Sequence, residues 1–404
     1  MKHFDFAIVG GGCIGLSIAM ELKRLNESSR IVIIDSEYKL GIHSSGRNSG
    51  VLHAGIYYEP GSLKAKVCTQ GAKELKDWVK KKNLKINTCG KIILAQKSEL
   101  DSQLDLLYER GQQNGANVQF ITRNEIQGYV PEATSAAKRG IWSPNTAVVE
   151  PLKVIEAMVE ELKEKNVAFM YGCKENIFEP SSNRIRLQTG ETICYQHLFN
   201  TAGIAALKVA KQFEVGNEFS VMPFKGIYWK LNSKSTINIR TNLYPVPDLN
   251  VPFLGIHFTP NADTSLSPSI GPTATLALGK NNYLGLEGFE PVNTIKNLAL
   301  ITRQYIEDSN GFRKYMHEQA LLGIRPLMLR EARRLIPAIK DKDIVPSNKR
   351  GIRAQLFDKS KNCLVKDFVC KTENHCTHVL NAISPAFTAS FALARVVIDQ
   401  ARID

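Results

Sequence analysis

The sequence predicts an α/β fold: a discontinuous, Rossmann-like dinucleotide-binding domain into which an α+β substrate domain on a mixed or antiparallel sheet is inserted. Three observations predict it. The chain opens with FDFAIVGGGCIGLSIAMEL and RIVIID, an apolar strand, a glycine turn, a helix and a second apolar strand closed by an acid. A strand ending in NTAG (200–203) returns mid-chain, and a strand and helix close the C-terminus, as sheet neighbours of that first unit would. Between 224 and 283 the pattern turns strand-rich and proline-rich, in FKGIYWKL, NLYPVPDL, GIHFTP and ATLALG, as suits a second sheet with loops. At 404 residues the chain exceeds the size at which one core stops growing. The expected division is 1–84, 145–215 and 343–404 for the nucleotide-binding domain, and 85–144 and 216–342 for the substrate domain.

In the first unit Gly10 allows the tight turn, Gly12 lets the backbone approach a pyrophosphate, and Gly15 lets the helix pack on the strand. The phosphates would meet the free N–H groups of the helix start. Asp35, twenty residues past Gly15, is placed to take ribose hydroxyls. Then comes HSSGRNSGVLHAGIYYEPGSLKAKVC, from His43 to Cys68. Its hydroxyls, glycines and arginine, including Ser44, Ser45, Arg47, Asn48 and Ser49, suit a cofactor larger than a nicotinamide dinucleotide.

Further along, 64–82 reads as a lysine-studded helix, 84–95 as a strand entering another unit, and 98–115 as a charged helix. A long amphipathic helix begins near Pro151, and short strands lead to NTAG. Helices run from Val292 to about Pro337.

The formal net charge of +13 is spread along helices such as KELKDWVKKKNLK. It would suit an anionic substrate, a nucleic acid or an acidic membrane surface, but spread in this way it reads as a solvated basic surface rather than a nucleic-acid face, and no basic patch interleaves with stacking aromatics. The eight cysteines contain no C-x-x-C pair and are expected as reduced thiols. His375, Cys376 and His378 cluster, but strand alternation and the lack of a fourth ligand argue against a metal. The first strand begins by about Phe4, which leaves no room for a signal peptide. A cytoplasmic protein is expected, with peripheral contact at the inner face of the cell membrane as an option.

The glycine fingerprint, HSSGRNSGVLHAG, the NTAG strand and the terminal SPAFTAS resemble the FAD-dependent oxidoreductases of the D-amino-acid oxidase superfamily. PFKGIYW, LYPVPDLNVPFLGIHFTP, REARRLIPAI and GIRAQLFD resemble, within it, the L-2-hydroxyglutarate dehydrogenase and oxidase family. The resemblance spans essentially the whole chain. It implies noncovalent FAD, since no cysteine or histidine stands out for attachment, and oxidation of L-2-hydroxyglutarate to 2-oxoglutarate with electrons passed to a membrane quinone or oxygen.

That chemistry needs a base for the hydroxyl proton, and His53 and His257 are the candidates, His53 being favoured. A dicarboxylate needs cations: Arg353 in GIRAQ first, then Lys225 in PFKGIYW, where the family pattern often has Arg. Tyr57, Tyr58 and Tyr244 are hydroxyl donors or packing aromatics. At LNAISPAFTAS, a strand-to-helix turn would bring Ser384, Ala386 and Thr388 to the flavin, as NTAG would bring Gly203. The alternatives are the same scaffold acting on glycerol 3-phosphate or an amino acid, and an RNA-modifying flavoprotein.

Overall fold

The computed structural model describes residues 1–249, 254–308, 313, 316, 317 and 323–403; part of the LYPVPDLNVPFLGIHFTP motif, residues 250–253, lies outside the described residues. Strand β1 (Lys2–Val9) is followed at once by the glycine turn and helix α1 (Cys13–Leu25), then β2 (Ile31–Ile34). These are the elements the opening pattern predicts. Lys23 and Arg24 in the last turn of α1 complement the helix dipole.

Five parallel strands form the centre of the eight-stranded nucleotide-binding sheet, in the order Cys376–Asn381, Thr192–Asn200, β1, β2 and Ala168–Met170. All four β2 residues are buried, as both faces of such a sheet are covered. On one face Ile8, Ile33 and Phe199 pack with Leu16 of α1, Ile155 of helix Pro151–Glu164 and Leu393 of helix Ala386–Ala401. On the other, Ala7, Val9, Val32 and Leu198 meet Leu207 and Phe213. Period-two alternation divides the strands between the two cores.

Beyond β2 the chain forms the short strand β3 (Val51–Leu52), paired with Ala147–Val149, and then helix α2 (Leu63–Lys81). Gly71 of α2 meets Ala389, where an added Cβ would lie 2.7 Å from the Ala389 Cα. The two helices therefore cross at backbone distance, which holds the C-terminal helix against the wall of the site.

The second sheet has ten strands, largely antiparallel, with Lys91–Leu94 and Asn242–Pro245 paired in parallel. Its longest pair is Phe219–Leu231 against Ile344–Asp358. Residue 343 was expected to open the last nucleotide-binding segment, but strand Ile344–Asp358 is hydrogen-bonded along its length within this second sheet. The C-terminal return to the first sheet begins with Val369–Glu373 and Cys376–Asn381. Among the described residues no helix is long and apolar enough to cross a membrane.

Candidate active site

A cavity of about 690 Å³ runs between the sheets, from Gly12 and Cys13 at the start of α1 to Tyr244 and His257 in the second sheet. At its nucleotide end Gly10 has φ +104°, and an added Cβ would lie 2.4 Å from the Thr201 carbonyl oxygen. At Gly15 the Cβ would lie 2.1 Å from the Gly10 carbonyl oxygen. These two positions admit only glycine. The N-cap residue Gly12 has no side chain to cap α1 and the first turn carries no acid, so the N–H groups beyond Cys13 are left open to an anion.

Asp35 accepts the Gly11 N–H at 2.7 Å and the Glu37 N–H at 2.9 Å. Burial raises its pKa while those two hydrogen bonds lower it, with the rise prevailing. The carboxylate thus braces the glycine turn, with β2 directing it there.

In the serine-rich loop, Ser45 Oγ accepts the Cys13 N–H at 2.9 Å, and Ser44 Oγ donates to the Ile352 carbonyl at 2.7 Å. The loop therefore ties the first turn of α1 to the second sheet. Asn48 closes it internally, donating to Ser45 O at 2.6 Å and accepting from Gly50 N at 2.9 Å. Arg47 donates to Ile42 O at 2.6 Å and lies 4.2 Å over the Tyr283 ring. Ser44, Ser45, Arg47, Asn48, Ser49 and Gly203 all line the cavity. The open helix start, the glycine cradle and this polar loop fit the diphosphate of FAD.

Opposite that loop, Ser384, Ala386 and Thr388 line the cavity at the start of helix Ala386–Ala401, which has no acid in its first turn. The Thr388 hydroxyl accepts the His53 N–H and donates to Val51 O, each at 3.2 Å. It is engaged in fixing the backbone of β3 and of His53.

Both candidate bases line the cavity and both are buried. Burial, with Lys91 and His257 nearby, holds His53 well below the ordinary imidazole pKa. Burial also pulls His257 down to about 3, its Nδ1–H being donated to Gly255 O at 2.8 Å. The His257 ring stacks on Tyr244 at 3.9 Å. Each imidazole is therefore neutral, able to accept a proton. The Tyr57 hydroxyl is buried without a hydrogen-bond partner among the described residues, the buried Tyr244 hydroxyl faces that of Thr259, and both rings face the cavity. An orphaned donor such as Tyr57 is what a polar ligand would satisfy.

The cations are divided differently from expectation. Arg353 lines the cavity, its Nε donating to Gln355 Oε1 at 3.1 Å, and it pairs across the sheet with Phe224. Lys225 does not line it. Phe224, Gly226 and Tyr228 do, so strand alternation turns Lys225 to the other face, where it donates to buried Asn282 at 2.9 Å.

Lys64, which the linear pattern does not single out, lines the cavity instead. It lies on the cavity wall near Arg353, in the first turn of α2, and burial pulls its pKa down to about 7. Asp367 accepts the N–H groups of Leu63 and Lys64 at 2.9 and 3.1 Å, holding that turn in place. Lys91 was also missed: it is 1% exposed, with Nζ 3.4 Å from His53 Nδ1. The signal for Lys64 was its place just after the Ser62 cap of α2, at the end of the cofactor-proximal segment.

A family model described as FAD dependent oxidoreductase (DAO) matches residues 5–400. The mitochondrial L-2-hydroxyglutarate dehydrogenase of Nematostella vectensis is 32% identical over 432 residues, covering 99% of this chain and 91% of that protein. The human mitochondrial enzyme of that name is 32% identical (99% and 89% covered), and that of Indibacter alkaliphilus 30% (98% of each). Among solved structures, dithionite-reduced L-α-glycerophosphate oxidase from Mycoplasma pneumoniae, with FAD bound, matches at a TM-score of 0.77 and 17% identity, over 100% of this chain and 96% of that one. Glycine oxidase from Geobacillus kaustophilus matches at 0.72 and 16% identity, over 99% and 95%. These two likenesses bear out the predicted fold, and the family match with the relatives bears out the resemblance: the chain belongs to the DAO family of FAD-dependent oxidoreductases.

Proposed function

We propose that this oxidoreductase converts L-2-hydroxyglutarate to 2-oxoglutarate. The observation that carries the proposal is a cavity wall holding Arg353 and Lys64, the lysine cationic below about pH 7, in the same cavity as two neutral imidazoles. A substrate with two carboxylates flanking a secondary alcohol is the chemical complement of that set. Full-length similarity to proteins named L-2-hydroxyglutarate dehydrogenase supports the same choice.

When bound, FAD supplies the two-electron acceptor for the hydride carried on C2. The remaining tasks fall to the protein. Arg353 and Lys64 hold the carboxylates, the Tyr57 and Tyr244 hydroxyls donate to substrate oxygens, and His53 takes the hydroxyl proton. His53 is preferred to His257 because its backbone is fixed to the helix start at Thr388, beside the cofactor-wrapping loop.

The FAD is held without a covalent bond. Both ring nitrogens of His43 are engaged, by Tyr283 and Glu37, and burial pushes the Cys13 thiol up to about 11. Acid precipitation should leave the yellow colour in the supernatant. The electrons go on to a quinone or to oxygen, and the net charge of +13 favours peripheral contact of a cytoplasmic protein with an acidic membrane. Reoxidation no faster with washed membranes than with dissolved oxygen would exclude the quinone route.

The substrate is tested by anaerobic bleaching of the flavin band with L-2-hydroxyglutarate beside its D-enantiomer, L-lactate, glycerol 3-phosphate and a panel of amino acids. Fast bleaching by the L-dicarboxylate alone is expected. Bleaching by another member of the panel, and not by this one, would overturn the substrate.

A further inference from the structure

Lys91 opens strand Lys91–Leu94 in the interior of the ten-stranded sheet, between Asn242–Pro245 and Arg139–Ser143. Among the described residues no carboxylate lies within ion-pair distance of its amine. Its neighbours are His53 Nδ1 at 3.4 Å, the Tyr244 ring at 4.2 Å and the Tyr57 ring at 5.1 Å, with His257 and the thiols of Cys68 and Cys89 also facing it. An ammonium buried without a counter-charge is costly and tends to shed its proton. Burial accordingly pulls Lys91 down to about 7.

Lys91 does not line the cavity, whereas His53 does. The lysine therefore stands behind the imidazole and occupies Nδ1, which leaves Nε2 as the nitrogen open to a ligand. Between Nδ1 and Nζ there is room for one hydrogen bond, and its direction decides what His53 can do. A protonated Lys91 donates to Nδ1, which places the ring proton on Nε2 and makes His53 a donor. A neutral Lys91 accepts from Nδ1–H, which leaves the Nε2 lone pair facing the cavity.

We propose that Lys91 is a positioning residue that acts through His53: as the neutral amine it sets the base-competent tautomer and receives the proton displaced from Nδ1. The substrate O–H bond breaks as Nε2–H forms, while Nδ1–H breaks as a third Nζ–H forms. One proton enters the pair and one positive charge comes to rest on Nζ, between the Tyr244 and Tyr57 ring faces, where cation–π attraction favours it. The reverse transfer across the same two bonds resets the pair after product leaves. The inference rests on the reading of His53 as the base.

The test pairs two readouts on the FAD-loaded enzyme. The first, needing no substrate, is the 15N spectrum of ring-labelled histidine, with His53 assigned by difference from His53→Gln. In the wild type the His53 ring is expected to switch from the Nδ1–H to the Nε2–H tautomer as pH falls through about 7. In Lys91→Arg it should hold the Nε2–H form throughout. The second is the rate of flavin bleaching by L-2-hydroxyglutarate against pH. The wild-type rate should rise with an inflection near neutrality, and Lys91→Met should lose that inflection together with at least ~10²-fold in rate.

A tautomer constant from pH 5 to 9 in the wild type would overturn the proposal without recourse to a variant. So would a Lys91→Met enzyme that keeps both inflection and rate. The tautomer switch seen without bleaching by L-2-hydroxyglutarate in any form would support the Lys91–His53 pairing while overturning the substrate.

Discussion

The hydroxyl of Thr388 accepts the backbone N–H of His53 at 3.2 Å and donates to the Val51 carbonyl at the same distance. The C-terminal helix and the segment from β3 to the proposed base, with Thr388 and His53 335 residues apart in the chain, are thus joined at one buried oxygen. Thr388→Val, which keeps the shape and removes both bonds, should destabilise the protein by about 1–3 kcal/mol. It should also lower the rate of flavin bleaching while leaving FAD content unchanged. Urea unfolding beside the absorbance ratio at 450 and 280 nm (about) checks this, and loss of FAD in step with rate would show that Thr388 serves the cofactor instead.

Gly15 meets the Gly10 carbonyl so closely that an added methyl would sit 2.1 Å from it. Gly15→Ala must push α1 off β1, and the open helix start moves with it. The expected result is protein purified with little or no FAD and a raised dissociation constant on adding it back, by roughly tenfold or more for each 1.4 kcal/mol lost. An alanine variant as yellow as the wild type would show that the turn relaxes freely.

Arg353 and Lys64 make separable predictions. Arg353→Lys keeps the charge and loses the planar fork, so KM should rise roughly tenfold or more. Lys64 is held at about 7, so its ammonium is present below that pH and lost above it. The wild-type KM should rise between about pH 7 and 8, and Lys64→Met should show a high KM that is flat across that range. A pH-dependent KM retained in Lys64→Met would assign the titration to another group.

The cofactor end of the site was legible in the sequence because its parts are local: strand, turn, helix, second strand and acid lie within Lys2 to Asp35. Toward the second sheet, the motifs named His53, His257 and Arg353, and these three line the cavity. Lys64 and Lys91 look like surface lysines in the linear pattern. Lys64 reaches the cavity wall only when the first turn of α2 packs beside Asp367, and Lys91 is buried behind His53 only when sheet pairing closes over it from both sides. Lys225 went the other way, because neighbouring residues of a strand face apart and Phe224 and Gly226 are the ones turned inward. The division at 343 shifted for a related reason. A strand's partner is chosen by register across the sheet, and Ile344–Asp358 finds its own more than a hundred residues earlier in the chain.

Lys91 also leaves a thermodynamic signature that is independent of catalysis. In the unfolded chain it regains its ordinary value of 10.5, against about 7 when folded. Between those values the unfolded state binds the extra proton, so stability rises with pH and is lost as pH falls toward 7. One such group contributes at most about 1.4 kcal/mol per pH unit. Unfolding by urea in excess FAD, measured from about pH 7 to 7.5, stays below the ordinary thiol value of about 8.5, near which the unfolded cysteines ionise. Over that window the wild type should gain stability with pH, and Lys91→Met should lose close to one group's share of the slope while Lys64 retains its own. Equal slopes in the two proteins would mean that Lys91 stays protonated in the fold, with His53 held in the donor tautomer.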